Sequence, residues 1–274
     1  MPTYDEIIVT LLFFTVLIWE FSSGIYHNNK RLKGEWLVDV ISFLQLPIIR
    51  PIVMLIAFQL GVLLLPKMQN AFQELPFWLG FIIVFIPDDF SHYWIHRFSH
   101  KSKFLWPFHR THHTSTVYQT SVAFRENWLW FWIQPGFWWA GLMVSLGLIE
   151  QVLLSTAIIG VHNIWIHTGF NWGKNIYLHP LGNKVMKIIE HIINTPGLHR
   201  GHHGMGKNGV PFGNYAQTLF IWDVMFGTAI FKNSAIPEYY GIAEQDIMQQ
   251  PWYYLLWWPI WKKKEATTKT IKDK

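Results

Sequence analysis

Long apolar segments without charged residues recur along this chain and constrain its fold more than any other feature. Residues 7–19 and 52–65 carry no charge, and Glu150 is the only charged residue between positions 128 and 166. About 20 apolar residues suffice for a helix to cross the hydrocarbon core of a bilayer. Within that core a helix satisfies its own backbone N–H and C=O groups. The pattern therefore predicts an all-α fold, a polytopic membrane bundle of helices.

Four to five membrane spans are expected from these segments. The apolar blocks are residues 7–25, 37–65, 77–86 and 128–166. Pro47 and Pro51 interrupt the second block, which predicts either one kinked helix or a short interfacial piece followed by a span. The last block is too long for one span and contains Pro135, Gly136 and Gly147. It therefore predicts a hairpin of two helices.

Basic residues mark one side of the expected bundle. They follow the first and third blocks, whereas the connection at residues 66–75 has Lys67 as its only basic residue. Cytoplasmic loops are rich in Lys and Arg, so the His-bearing segments are expected on the cytoplasmic face of a multi-pass membrane protein. The first block is expected to be a retained helix, because Asp5 and Glu6 precede it where a signal peptide carries basic residues.

Composition narrows the chemistry that is open to the chain. It has no Cys, which excludes disulfides, Fe–S clusters and Cys-bound zinc, so any metal must be bound by His, Asp or Glu. With 18% aromatic and 14% charged residues, intrinsic disorder is excluded. The net charge of +5 indicates an anionic membrane surface and no nucleic acid, because the basic residues lie between and after the apolar blocks.

The 14 His residues are concentrated in short motifs. His92 and His96 form an HxxxH pair, and His100 lies one helical turn further along. HxxHH occurs twice, although only about 0.03 matches are expected by chance at this His frequency. These triplets are His109, His112 and His113, and His199, His202 and His203. His162 and His167 form a looser pair. Three isolated residues are expected to have ordinary packing or surface roles: His27, His179 and His191.

The motifs suit a metal centre. Neutral imidazole binds Fe, Zn, Cu and Ni through one lone pair, and eight His exceed the four ligands of a zinc site. Adjacent residues of a helix point about 100° apart, so His112 and His113 can serve different metals. The sequence has neither the ExxH pairs of carboxylate di-iron proteins nor HExxH. An all-His, dinuclear site is therefore predicted.

Three acidic residues are candidate outer partners of such a site. Asp88 lies one turn before His92, Asp89 follows it, and Asp223 lies in the segment FIWDVMFGT. Each either orients a ligand His through a hydrogen bond or pairs with a neighbouring Arg. The sequence leaves both roles open.

The motifs together resemble the fatty acid hydroxylase/sterol desaturase superfamily of membrane di-iron proteins. The segments that carry the resemblance are DDFSHYWIHRFSH, FHRTHHTS, NTPGLHRGHHG and NYAQTLFIWDVMFGT, between Asp88 and Thr228. HHTSTVYQTSVAFRE and IWIHTGF are most similar to alkylglycerol monooxygenase-like members. The resemblance implies a helical membrane protein with a cytoplasmic, His-rich cap around two Fe ions. It also implies O2-dependent oxidation of a lipid C–H bond.

The resemblance also implies a ligand set. The matching ligands are His92, His96, His109, His112, His113, His167, His199, His202 and His203. His167 matches the further His that the family places between its two HxxHH motifs, and His162 is second to it. The other candidates for an additional ligand or an outer partner are His100, Asp88, Asp89 and Asp223.

The expected activity is hydroxylation of a fatty acyl, alkyl ether or sterol-like lipid. Lipid desaturation and hydrolysis at a dinuclear zinc centre remain alternatives. A His-lined metal transporter is disfavoured, because the clusters lie at span ends and in loops. The sequence has no dinucleotide-binding fingerprint, so electrons are expected from a ferredoxin or cytochrome with its reductase, or from tetrahydrobiopterin.

Three regions are expected along the chain. Residues 1–87 form an N-terminal transmembrane region, and residues 88–228 form the catalytic region with the hairpin at about 128–166. Residues 229–274 hold an aromatic segment, PWYYLLWWPIW at 251–261, and a basic tail. The aromatic segment is too short to span a bilayer and suits the membrane–water interface. Five Trp residues are candidates to line a substrate slot: Trp128, Trp130, Trp132, Trp138 and Trp139.

Overall fold

The fold is that of a computed structural model, which describes residues 4–25, 31–233 and 235–261. His27, Lys30 and the basic tail at 262–274 lie outside the described residues, so the predictions that rest on them are not addressed by the structure. His179 and His191 are exposed at the surface.

The described residues are mostly helical. The helices are α1 Tyr4–Ser22, α2 Glu35–Leu64, α3 Phe77–Lys101, α4 Trp106–His113, α5 Trp130–Ile133, α6 Pro135–Ser145, α7 Ile149–Ile166, α8 Gly173–Leu178, α9 Pro180–Ile189, α10 Pro196–His203, α11 Ile221–Met225, α12 Gln245–Met248 and α13 Trp252–Trp257. Two short 3-10 helices cover Pro66–Met68 and Thr120–Phe124. Strands β1 (Gly204–Met205) and β2 (Tyr239–Tyr240) pair antiparallel, with Gly204 opposite Tyr240.

Two helices among the described residues, α2 and α7, are long and apolar enough to cross a bilayer. In the most apolar 18-residue stretch of each helix, only 17% of α2 and 28% of α7 is buried within the protein. Most of this apolar surface therefore faces outward. The apolar part of α1, Ile7–Ser22, is shorter. Helix α6 has 11 residues and rises about 16 Å, which is too short to cross a bilayer alone.

Close packing between α2, α3, α6 and α7 forms the bundle, and α1 lies along α7. Pro47 and Pro51 both lie inside α2, so the second apolar block is one helix. A Cβ atom at Gly141 would lie 2.2 Å from the Met54 carbonyl oxygen, which means that only glycine allows α6 to approach α2 this closely. Gly147, at φ 96°, lies in the turn between α6 and α7, as expected for a break in the last block.

The segments that carry the His motifs form a cap over one end of the bundle. Arg125, fully buried, joins this cap to α2: its guanidinium donates to Asp39 Oδ1 at 2.7 Å and to the Glu35 carbonyl at 3.2 Å. Arg125 Nε donates to the Thr111 carbonyl at the end of α4, at 3.0 Å, and Arg31 binds Asp39 Oδ2 at 2.7 Å. One buried carboxylate therefore holds two arginines and fixes the cap on the bundle.

The C-terminal aromatic segment, which the sequence predicts at the membrane interface, packs against the bundle and the cap. Helix α13 packs on α2, and Tyr254, Leu255 and Leu256 are buried there with Val38. The Leu255 carbonyl accepts a hydrogen bond from Thr111 Oγ1 at 2.6 Å. The segment thus braces α4 from the side opposite the His rings.

Replacing Arg125 with Met should destabilise the protein by about 3 kcal/mol or more, because the buried Asp39 carboxylate loses one of its two arginines and keeps only Arg31 and the Ser121 hydroxyl. The measurement is a denaturant titration in detergent, followed by circular dichroism. Lys67→Met, at an exposed site on the far end of the bundle, is the matched control and should change little. Equal stability of the two variants would contradict the bracing role.

Candidate metal centre

The structure brings nine His side chains together in the cap, in two groups. Within each group the nitrogen atoms that can bind a metal lie within 4.8 Å of one another. Group 1 consists of His96, His100, His109, His113 and His202. Group 2 consists of His112, His167, His199 and His203. The groups adjoin, with the rings of His113 and His203 4.4 Å apart.

The two HxxHH motifs supply both groups in a reciprocal way. Helix α4 sends the first and last His of its motif to group 1 and the middle one, His112, to group 2. Helix α10 sends the first and last His to group 2 and the middle one, His202, to group 1. The cause is the divergence of about 100° between adjacent residues of a helix. Each short helix therefore bridges the two groups, as the sequence indicates for His112 and His113.

Distances between ring nitrogens fit shared metal ions. Two ligand nitrogens about 2.0–2.1 Å from one metal ion, at right angles, lie about 3.0 Å apart. The Nε2 atoms of five pairs, each within one group, are 3.0–3.2 Å apart: His96–His202, His109–His113, His112–His167, His167–His199 and His199–His203. This is the spacing of neighbouring ligands around one ion in each group.

Backbone carbonyls set the tautomer of four of these rings. In each, the ring Nδ1 lies within hydrogen-bond distance of a carbonyl oxygen. The pairs are His96 with Tyr215 at 2.6 Å, His112 with Arg125 at 3.2 Å, His167 with Asn163 at 2.7 Å and His202 with Gly213 at 2.8 Å. A carbonyl only accepts, so each Nδ1 carries the proton and each Nε2 keeps its lone pair free for a metal.

Burial keeps the rings neutral. It lowers the pKa of His112, His113, His202 and His203 well below the usual value, and the neighbouring His residues lower it further. These groups are therefore uncharged at pH 7, which is the state in which imidazole binds a metal. The donor set and its protonation state both fit a dinuclear metal site.

His100 takes the position beside His96 that the sequence assigned to His92. The His100 ring lies 4.7 Å from those of His113 and His202. His92 belongs to neither group, and its Nδ1 is 3.1 Å from Gln134 Nε2. All three residues share one face of α3, but α4 and α10 close over the C-terminal end of that helix. His92 is thus left one turn below the groups, at the wall of a cavity.

Asp89 and Asp223 act on the loop that orients His96. Asp223 accepts the backbone N–H groups of Tyr215 and Ala216 at 2.9 and 2.7 Å, and so places the Tyr215 carbonyl on His96. Asp89 accepts from the N–H groups of Thr218 and Leu219, both at 3.0 Å, and from Trp222 Nε1. Both carboxylates therefore hold the backbone of residues 215–219, whose Tyr215 carbonyl orients the His96 ring.

The remaining predicted residues lie outside both His groups. Asp88 lines the cavity below them, with its carboxylate against the backbone of Gly136. His162 packs its ring against Trp165 at 5.3 Å. Neither residue is among the nine His side chains that come together.

Glu126 is a residue of the site that the sequence motifs did not reveal. Its Oε1 lies 3.5 Å from His112 Nδ1 and its Oε2 lies 3.9 Å from His109 Nδ1, so the carboxyl group reaches one ring of each group. Oε2 and His109 Nδ1 are buried without a hydrogen-bond partner among the described residues. Burial raises the pKa of Glu126 well above its usual value. In sequence it is distinguished only by following Arg125, which is a weak signal.

A cavity of about 510 Å³ leads from the His groups into the bundle. The end at the His groups is lined by His96, His109, His112, His167, His199 and Glu126. The far end is lined by Val84, Ala140 and Val152, which are buried and belong to one apolar cluster between α3, α6 and α7. The cavity therefore has a polar end at the His groups and a mainly apolar floor.

One of the five candidate tryptophans lines this cavity. Trp130 is buried there, with its ring 4.4 Å from that of His109. Trp138 and Trp139 instead line a separate apolar groove between α2, α3 and α6. Trp130 thus forms part of the cavity wall between the His groups and the apolar floor.

Comparison with known proteins places the chain in a family. It is 32% identical over 166 residues to alkylglycerol monooxygenase of Xenopus tropicalis (61% of this chain, 32% of the frog protein). It is 30% identical over 208 residues to alkylglycerol monooxygenase of Danio rerio (70% and 41%) and 30% identical over 164 residues to that of Homo sapiens (58% and 32%). The matches thus span less than half the length of these relatives. No solved structure matches. The fatty acid hydroxylase profile matches residues 81–228, which include all nine His residues, and the chain belongs to the fatty acid hydroxylase family.

Proposed function

We propose that this protein is an O2-dependent di-iron monooxygenase that hydroxylates a C–H bond of a membrane lipid. The observation that carries the proposal is the pair of adjoining His groups at the end of an apolar cavity. The family match and the alkylglycerol monooxygenase relatives support the same reaction class. When bound, two Fe ions would supply, with O2, an oxidant strong enough to take hydrogen from an unactivated C–H bond.

The protein's own residues hold, orient and shield such a centre. Group 1 would bind one ion and group 2 the other, through Nε2 atoms whose orientation the backbone carbonyls fix. Trp130 and the buried cap keep water away from the rings. Glu126 places a carboxyl group beside a ring from each group, where it would offset part of the charge of the two ions.

The cavity favours a hydrocarbon chain as the part of the substrate that is oxidised. Val84 at the floor and His96 at the His groups both line it, and they lie about 18 Å apart along α3. Most of the remaining lining is apolar, which suits the hydrocarbon chain of a lipid. Fatty acyl and alkyl ether lipids are therefore the substrates that we propose to test first.

The membrane orientation and the electron source form part of the proposal. We infer a multi-pass protein with four to five spans and the cap on the cytoplasmic side, supported by the apolar outer faces of α2 and α7 and the basic residues around the cap. The electrons would come from a ferredoxin or cytochrome with its reductase, or from tetrahydrobiopterin. The basic cap would suit docking of an acidic redox protein.

Elemental analysis of protein purified after iron supplementation should find about two Fe ions per chain, as expected for a two-metal site. His113→Ala in group 1 and His199→Ala in group 2 should each lower that number and abolish O2-dependent product formation. The exposed His179→Ala is the control. Two tightly bound zinc ions that iron does not replace, with no O2 uptake, would favour a hydrolase. Product mass separates hydroxylation, which adds oxygen, from desaturation, which removes two hydrogens.

His100 and His92 provide a direct test of the geometry. His100→Ala should reduce the metal content, because His100 lies within group 1. His92→Ala should keep both metals and alter only the use of substrate, because His92 faces the cavity. The measurement is metal content beside turnover for the two variants. The opposite ranking in metal content would show that His92 is the ligand.

Glu126→Gln should weaken metal binding by about 10- to 100-fold, the usual cost of losing an outer partner of a metal-bound His. The positive charge of bound metal ions would favour the ionised form of this carboxyl group, and Gln removes that negative charge next to His109 and His112. Competition with a chelator measures the affinity without reference to activity. Glu74→Gln, exposed at the other end of the bundle, is the matched control, and equal affinity of the two variants would remove Glu126 from the site.

Ala140→Leu or Val152→Phe should shift the preference toward shorter chains, because both substitutions fill the floor of the cavity. Mass spectrometry of products from a mixture of chain lengths measures the shift. Ile158→Phe, on the exposed face of α7, adds the same kind of bulk outside the cavity and should leave the preference unchanged. An unchanged preference in both floor variants would show that the chain does not occupy this cavity.

A further inference from the structure

Helix α9 presents an apolar face that nothing in the described part of the chain covers. Leu181, Val185 and Ile188 have exposed fractions of 64%, 44% and 66%. At 3.6 residues per turn they lie within about 60° of one another around the helix axis. No residue of α9 is buried. An exposed apolar stripe of this kind is unusual on a water-soluble surface and marks a contact with something apolar.

The charges around this face are of one sign. In the segment 172–193, which covers α8 and α9, the exposed charged residues are Lys174, Lys184 and Lys187. The single acidic residue of that segment, Glu190, is buried and accepts a hydrogen bond from Thr195 Oγ1 at 2.7 Å. The surface therefore combines apolar side chains with positive charge, which is complementary to a bilayer with anionic headgroups.

Two exposed tryptophans lie at the start of the segment 172–193, as is typical of a membrane–water boundary. Trp19, near the end of α1, and Trp172, just before α8, are 49% and 42% exposed, with ring centroids 5.9 Å apart. Glu20 Oε1 accepts the Gly169 N–H at 2.6 Å and so ties the end of α1 to this segment. Trp residues concentrate at membrane–water interfaces, and α8 begins directly after Trp172.

We propose that α8 and α9 lie in the plane of the membrane interface, with Leu181, Val185 and Ile188 in the acyl region and the lysines on anionic lipid headgroups. Glu190, at the end of α9, is linked through Thr195 to the start of α10, since Thr195 Oγ1 also accepts the Leu198 N–H at 3.4 Å. The anchor thus adjoins the helix that carries His199, His202 and His203. This inference does not depend on the proposed reaction.

Spin labels at two positions of α9 test the proposal. The chain has no cysteine, so Ile188→Cys and Lys187→Cys each create one labelling site, on the apolar face and on the polar face. In vesicles with equal amounts of phosphatidylcholine and phosphatidylglycerol, the label at 188 should collide more with O2 than with a water-soluble nickel chelate. The label at 187 should collide more with the nickel chelate than with O2.

Each other outcome would overturn the proposal. Equal access of the nickel chelate to both labels would place α9 in water. Dipolar broadening at 188 that disappears on dilution with unlabelled protein would show that a second copy covers the face. The role of the lysines is tested in vesicles of phosphatidylcholine alone, where the preference for O2 at 188 should fall. An unchanged preference would overturn the part of the proposal that concerns anionic lipids.

Discussion

The structure depends on keeping nine imidazole rings neutral and close together in the buried interior of the cap. Uncharged rings can lie with their nitrogens about 3 Å apart, as His96 and His202 do, whereas charged rings would repel one another at that distance. Burial supplies the neutrality and backbone carbonyls supply the orientation. The loops around Arg125, Gly213 and Tyr215 are therefore as important to the site as the His residues that they orient.

The rings are buried because a helical cap is fixed onto an apolar bundle. The buried Arg125–Asp39 pair and the contacts of α13 join α4 to α2. The two His groups consequently lie above a cavity whose floor, at Val84 and Val152, belongs to the bundle itself. Between this floor and the His groups, Asp88 and His92 also line the wall.

The sequence predicts much of this arrangement, and physical reasons explain where it does not. Helical periodicity alone indicates that His112 and His113 serve different metals, because that divergence is set within one turn. The same periodicity cannot choose between His92 and His100 as the partner of His96, because both lie one turn away on the same face. Glu126 is likewise invisible in the sequence, since its role comes from a fold that brings it against α4.

The sequence by itself determined the helical character, the apolar segments and the His motifs as candidate metal ligands, because these follow from local composition and from the chemistry of imidazole. Tertiary structure alone decided which nitrogens meet in each group, which residues line the cavity, and which apolar face stays uncovered at α9 among the described residues. These features depend on where separate helices cross. The crossings are set by close packing at sites such as Gly141 against Met54, and such packing joins residues far apart in the chain.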